Sequence, residues 1–113
     1  MTTLLERFEA QLAEGKDSAI LRLSIAQQLS TAARFDEAIA HLQRALLLNP
    51  LYTAVWLALG QAYEKTGDVT RAISTYRSGI ETAKKNGDKQ AERQMGVYLS
   101  RLLKAGQTPS QVR

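Results

Sequence analysis

The 113-residue sequence has no cysteine, only one histidine, and no long uninterrupted run of apolar residues. The absence of cysteine excludes disulfides, thiolate nucleophiles and cysteine-based zinc sites, and it permits a reducing compartment. The N-terminal segment carries Glu6, Arg7 and Glu9 within its apolar pattern, unlike a signal peptide, and no stretch approaches membrane-spanning length. We therefore expect a cytoplasmic protein that does not enter a membrane.

The sequence also lacks the motifs that carry catalysis or bind metals. No P-loop, no G-x-S-x-G and no metal-ligand spacing is present. His41 stands next to an apolar position and is interpreted as a solvated surface residue. Asp36 and Glu37 are better explained as the N-cap and first-turn charge of a helix than as a general acid and base. We expect no enzyme activity, no catalytic residue, no cofactor and no metal.

What the sequence does contain is an internal repeat. At 44% hydrophobic and 23% charged residues, the chain is long enough for one compact unit and too short for two ordinary domains. Shifting it by 34 residues superposes Ala26 on Gly60, Ala38 on Ala72, Ile39 on Ile73, Leu42 on Tyr76 and Ala45 on Gly79. Small residues fall on small and large on large, which is typical of stacked helical repeats.

The second copy resembles the tetratricopeptide repeat. The matching residues are Trp56, Leu59, Gly60, Tyr63, Ala72 and Tyr76, which fit W-x2-L-G-x2-Y followed by A-x3-F. The first copy keeps the small and apolar positions and the closing Pro50, but it has Arg22 where the tryptophan would stand. The chain is also similar in layout to small bacterial members of the family with two repeats.

This resemblance implies an all-α fold, a right-handed stack of antiparallel helix hairpins with a capping helix at each end. The repeats are assigned to residues 19–52 and 53–86, the capping helices to 2–14 and 88–105, the single domain to 1–106, and a disordered tail to 107–113. Six helices are predicted, at 2–14, 18–32, 36–48, 53–66, 69–85 and 88–105. The expected core residues are Leu42, Trp56, Leu59, Tyr63 and Tyr76.

Glycine and proline predict where these helices end. Gly67 suits a left-handed C-terminal cap, Asp68 can cap the next helix, and Phe35 with Asp36 is assigned the same place in the first copy. The second copy has lysine at the proline position, so its last helix is expected to continue to residues 86–87. The C-terminal apolar stripe fits the repeat register only with an insertion of about five residues, and is therefore interpreted as a cap.

The family resemblance implies protein binding rather than catalysis. Tetratricopeptide arrays hold a partner's peptide or helix in a concave groove lined by the first helix of each repeat. By register with the family, the groove residues are Ile20, Leu23, Gln27, Ser30, Ala54, Leu57, Gln61 and Glu64. The amides of Gln27 and Gln61 can hydrogen-bond a peptide backbone. The alternative is that a terminal helix covers this groove and buries Leu23 and Leu57.

Charge is unevenly distributed along the chain. Residues 1–50 carry five basic and six acidic side chains, whereas residues 51–113 carry ten basic and five acidic ones. A basic patch is assigned to Lys84, Lys85, Lys89 and Arg93. It can steer an acidic partner to this end of the molecule, or it can simply keep the chain soluble.

Three functional hypotheses follow. The first is a non-catalytic module that binds a peptide or helix of a partner protein, with the protein itself a monomer. The second is a self-associating module, for which a homodimer is the simplest form. The third, a nucleic-acid binder acting through the basic patch, ranks last because the aromatic residues are assigned to packing and leave no surface for base stacking.

Overall fold

Six α-helices make up the computed structural model, which describes residues 2–106. They are α1 (Leu4–Ala13), α2 (Ala19–Thr31), α3 (Phe35–Leu48), α4 (Thr53–Thr66), α5 (Val69–Asn86) and α6 (Lys89–Ala105). Each observed end lies within two residues of the predicted one, and no strand occurs in the part of the chain that is described. The predicted all-α stack of helix hairpins is confirmed. The predicted tail, 107–113, lies outside the described residues.

The helices stack in chain order into an elongated body of 56 × 31 × 19 Å. Each helix packs on the next one, and α4 additionally contacts both α2 and α6. Helices α2, α4 and α6 therefore lie side by side, with α3 and α5 behind them. Between Thr3 and Ala105, none of the helices is long and apolar enough to cross a bilayer.

Close helix crossings explain the small residues of the repeat. An ideal Cβ built on Gly60 would lie 2.2 Å from Cε1 of Tyr76, so the α4–α5 crossing tolerates no side chain there. The equivalent pair of the first hairpin is Ala26 with Leu42, both buried. The larger ring of the second hairpin thus faces the smaller residue. Paired sizes of this kind keep both crossings closely packed.

The predicted core is correct except at one position. Leu42, Leu59, Tyr63 and Tyr76 are buried. Trp56 is only half-buried against the core, because its indole lies near the end of the preceding loop. There its Nε1 donates a hydrogen bond to the Pro50 carbonyl, at 2.9 Å.

The turns at the ends of α2, α4 and α5 share one hydrogen-bond pattern. In the second of these turns Gly67 has φ 82°, and the Asp68 amide donates to the Tyr63 carbonyl at 2.9 Å. In the first, Ala33 holds the left-handed position, with φ 59°, and Arg34 follows as the cap residue without a side-chain cap. The assignment of Phe35 and Asp36 to this place was therefore wrong. Asp36 is the second residue of α3 and is exposed.

Helix α6 occupies the place that the first helix of a third repeat would have. It begins 36 residues after α4, which begins 34 residues after α2, so the insertion is two residues rather than about five. The insertion arises because α5 continues to Asn86, as predicted, and has 18 residues against 14 in α3. In this register Met95 matches Leu59 and Gly96 matches Gly60, and both Met95 and Leu59 are buried.

At the other end of the stack, α1 covers α2. The Thr3 hydroxyl accepts a hydrogen bond from the Glu6 amide while the Glu6 carboxylate accepts one from the Thr3 amide, a capping box that fixes the start of the helix. Leu5, Phe8 and Leu12 pack against the core, as their spacing predicts.

Candidate functional site

An open groove runs across the face formed by α2, α4 and α6. Its volume is about 750 Å³. The lining residues are Ala26, Gln27, Ser30, Thr31, Phe35, Leu42, Ala58, Gln61, Ala62, Glu64, Lys65, Tyr98 and Arg101. The lining combines small and apolar side chains with polar and charged ones. Neither terminal helix crosses the groove, since α6 extends its wall and α1 packs on α2.

Half of the residues assigned to the groove line it. They are Gln27, Ser30, Gln61 and Glu64. Their spacing places them along one side of α2 and of α4, and one of them, Glu64, also reaches the Tyr76 hydroxyl of α5.

The other four assigned residues lie elsewhere. Leu23 is 7% exposed and belongs to the core, and Leu57 is half-buried against it. Ile20 is 66% exposed and lines a separate depression with Tyr52. Ala54 is exposed on the first turn of α4, outside the lining of the groove. Leu23 therefore packs in the core and does not line the groove.

Glu64 is held from behind by the core. Its carboxylate accepts a hydrogen bond from the Tyr76 hydroxyl, and the Tyr76 side chain is fully buried. Burial, and then the hydrogen bond to this carboxylate, raise the pKa of Tyr76. The phenol therefore stays protonated and continues to donate, so that Glu64 is fixed in place.

Two cations complete the wall of the groove, and neither was assigned to it from the sequence. Lys65 lies near the end of α4, and Arg101 lies on α6 with its guanidinium 5.5 Å from the centre of the Tyr98 ring. Tyr98 in turn stacks on Tyr76, with ring centres 5.8 Å apart. Within residues 2–106, no carboxylate lies within 4.0 Å of either cation. Their charges are therefore available to a ligand.

The sequence contained a signal for Tyr98 and Arg101. With the two-residue insertion at the end of α5, Arg101 takes the position that Lys65 has in α4. The match was hidden because α6 has glutamate at the tryptophan position and because the length of α5 could not be fixed from its residues.

The four residues of the basic patch are exposed. Lys84 and Lys85 lie in the last turn of α5, where a positive charge interacts favourably with the helix dipole and stabilises the helix. Lys89 begins α6. Arg93 lines a shallow depression on α6 together with Arg101 and Lys104. The patch thus spans the turn between two helices rather than one face.

A polar cluster surrounds the position where the first repeat lacks its tryptophan. Arg22 binds Asp17 through two contacts of 2.8 and 3.0 Å, and its Nη1 lies 3.1 Å from Nδ1 of His41. The interpretation of His41 as a solvated residue was wrong. Burial, followed by the charge of Arg22, lowers its pKa, while the hydrogen bond from Arg22 lowers the pKa of Asp17. The cluster links the loop before α2 to α3.

Known proteins resemble this chain over most of its length. A family model described as a tetratricopeptide repeat matches residues 23–88. A TPR repeat-containing protein of Pseudomonas aeruginosa is 38% identical over 102 residues, covering 90% of this chain and 97% of that protein. A solution structure of a Bordetella parapertussis protein matches with a TM-score of 0.83 and 34% identity, over 93% of this chain and 91% of that one. The crystal structure of a tetratricopeptide repeat domain protein from Salinibacter ruber has a TM-score of 0.71 at 23% identity, over 76% and 96% of the two chains.

Proposed function

The chain belongs to the tetratricopeptide repeat family, whose members generally act as protein–protein interaction modules, and from this premise we propose that it is a non-catalytic module. Its groove binds an extended segment of a partner protein. The observation that carries the proposal is the open groove across α2, α4 and α6, whose polar lining includes Gln27, Ser30 and Gln61.

The chemistry of the groove suits a peptide backbone. Gln27 and Gln61 occupy equivalent positions of α2 and α4, and each amide offers one acceptor and two donors. An extended segment presents carbonyl and amide groups that these side chains can satisfy. The small side chains of Ala58 and Ala62 leave room between them for the apolar residues of the segment.

The charges of the groove favour a segment that carries an acidic side chain. Lys65 and Arg101 supply two positive charges, whereas the one acidic lining residue, Glu64, is already engaged by Tyr76. A carboxylate next to Arg101 gains a charge-assisted hydrogen bond in addition to its Coulomb attraction.

The proposal is tested in two steps. The full chain is immobilised, incubated with bacterial cell extract, and the retained proteins are identified by mass spectrometry. Binding kinetics of the identified partner are then measured for Gln27→Ala and Gln61→Ala. Each substitution is expected to raise the off-rate, because lost short-range contacts act mainly on dissociation. Gln11→Ala, an exposed amide on α1, is the matched control and should leave both rates unchanged.

A partner whose off-rate is the same in all three variants binds elsewhere and would contradict the proposal. We also propose that the protein is a cytoplasmic monomer and that nucleic acid is not its ligand. Light scattering at micromolar concentration should give the mass of one chain. A titration with duplex DNA at physiological salt should show no saturable binding, since its phosphates would have to be met by the dispersed cations of the basic patch.

A further inference from the structure

Helix α6 repeats the surface that α2 and α4 use to hold the helix after them. At the α4–α5 crossing Gly60 meets the Tyr76 ring, and the residues that match this pair in α2 and α3, Ala26 and Leu42, are both buried. Gly96 occupies the same position in α6, counted from the start of each helix. The structure places no helix after α6 within the described residues, so this third surface has no partner there.

The fold itself does not require a glycine at position 96. An ideal Cβ built there meets nothing within 4 Å, whereas the one on Gly60 overlaps a ring. A glycine in the middle of a helix weakens that helix relative to alanine. The neighbouring Val97 is 52% exposed. A small residue and an exposed apolar one thus lie together, an arrangement that suits the close approach of another helix.

The charge around Gly96 defines what can approach it. Gly96, Val97 and Ser100 lie in a depression of about 610 Å³ whose other lining residues are Arg93, Arg101 and Lys104. Helix α6 contains a single acidic residue, Glu92. A second copy of α6 would bring like charges together and is therefore disfavoured.

We propose that the face of α6 around Gly96, hereafter the α6 face, binds an acidic amphipathic helix of a partner protein. A large apolar side chain of that helix lies over Gly96, as Tyr76 lies over Gly60, and its carboxylates face Arg93 and Lys104. The α6 face and the groove are lined by different residues, except that Arg101 lies at the edge of both. The partner helix takes the place that α5 has beside α4.

The test uses three fluorescein-labelled peptides and the full chain. The first has the sequence of α5 with Arg71→Glu, Arg77→Glu, Lys84→Glu and Lys85→Glu, which keeps its crossing residues and makes it acidic. The second adds Tyr76→Ala to remove the anchor, and the third is unmodified α5. Anisotropy is measured at an ionic strength of about 0.15 M, where weak long-range attraction is screened. We expect saturable binding of the first peptide, and affinities lower by about tenfold or more for the other two.

Variants of the protein locate the binding site. Gly96→Leu fills the space in which the apolar side chain of the peptide would lie, and should lower the affinity for the first peptide by at least about tenfold. Thermal melting checks that the variant remains folded. Arg93→Glu combined with Lys104→Glu should weaken it similarly, and Gln61→Ala in the groove should not. The proposal is overturned if none of the peptides binds, or if the second peptide, with Tyr76→Ala, binds as tightly as the first. It is also overturned if the protein variant Gly96→Leu binds the first peptide as tightly as the wild type. It is also overturned if light scattering shows a dimer that Gly96→Leu abolishes, because a second copy would then occupy the α6 face.

Discussion

Replacing Ala33 by glycine should stabilise the protein. Ala33 ends α2 in the left-handed conformation, φ 59°, the position that glycine holds at residues 67 and 87 with φ 82° and 71°. Its amide donates to the Ser30 carbonyl at 3.0 Å, and the next amide, of Arg34, donates to the Leu29 carbonyl at 2.8 Å. These two bonds fix the turn, so alanine cannot leave the strained region without breaking them.

The size of the effect follows from two opposing terms. The left-handed conformation costs a residue with a Cβ about 1–2 kcal/mol, which glycine does not lose. Glycine in turn adds about 0.4–1 kcal/mol of conformational entropy to the unfolded chain. Because Ala33 is exposed, the removed methyl group costs no packing. The net gain is about 0.5–1 kcal/mol, which for a domain of this size raises Tm by about 2–5 °C.

Thermal melting by circular dichroism, with chemical denaturation at 25 °C, measures both quantities. Gly67→Ala is the matched reverse change and should lower Tm by a similar amount, since nothing lies within 4 Å of the added Cβ and only the backbone conformation is affected. The reasoning is refuted if Ala33→Gly melts at or below the wild-type temperature while Gly67→Ala is destabilised, because strain at Ala33 would then be absent.

Three further predictions concern packing, helix propensity and pH. Gly60→Ala should destabilise the protein by about 1–3 kcal/mol, because the buried Tyr76 ring stacks on Tyr98 and cannot move away from the new methyl group; an unchanged denaturation midpoint would contradict this. Gly96→Ala should instead stabilise the fold by up to about 1 kcal/mol, and a loss of stability by the same assay would show that α6 already has a close neighbour. Since the pKa of His41 is lowered by folding, the unfolded chain binds the proton more readily, so stability is fully present above the unfolded pKa of about 6.5 and is lost as the pH falls from there through the lower folded pKa. Denaturation of His41→Gln at pH 5 to 8 should show a smaller loss, and identical profiles for the two proteins would exclude His41 as the cause.

The fold could be predicted because its strongest constraint is on the size of the side chains at the helix crossings, and these sizes can be seen in the sequence. Helices of one hairpin cross closely, so a small residue on one requires a matching residue on the other, and the pairs Ala26 with Leu42 and Gly60 with Tyr76 carry this constraint in both copies. Such pairs recur at a fixed distance along the chain and need no structure to be seen. They determine the register of four helices, and Gly67 separately marks the turn after α4.

Polar details could not be predicted in this way. Nothing local distinguishes Ala33 from a helical alanine, because its left-handed conformation is imposed by the hydrogen bonds of the turn. His41 lies next to a packing position in the sequence, and its half-buried place beside Arg22 of α2 appears only in the fold. The burial of Leu23 likewise depends on the stack as a whole, because the core to which it belongs is drawn from several helices.

The position of α6 shows how a small change in the length of α5 alters which residues are assigned to the groove. Helix α5 lacks the proline that ends α3 and continues to Asn86, which delays the next helix by two residues relative to the repeat. In the unshifted register Gln94 falls on Gly60 and α6 resembles a simple cap, whereas in the shifted register Gly96 aligns with Gly60 and Ala26. The consequence is a groove with three walls instead of two, to which α6 contributes Tyr98 and Arg101. Within residues 2–106 it also leaves one helix face without the partner that α3 and α5 provide elsewhere, which is why the groove and the α6 face require separate tests.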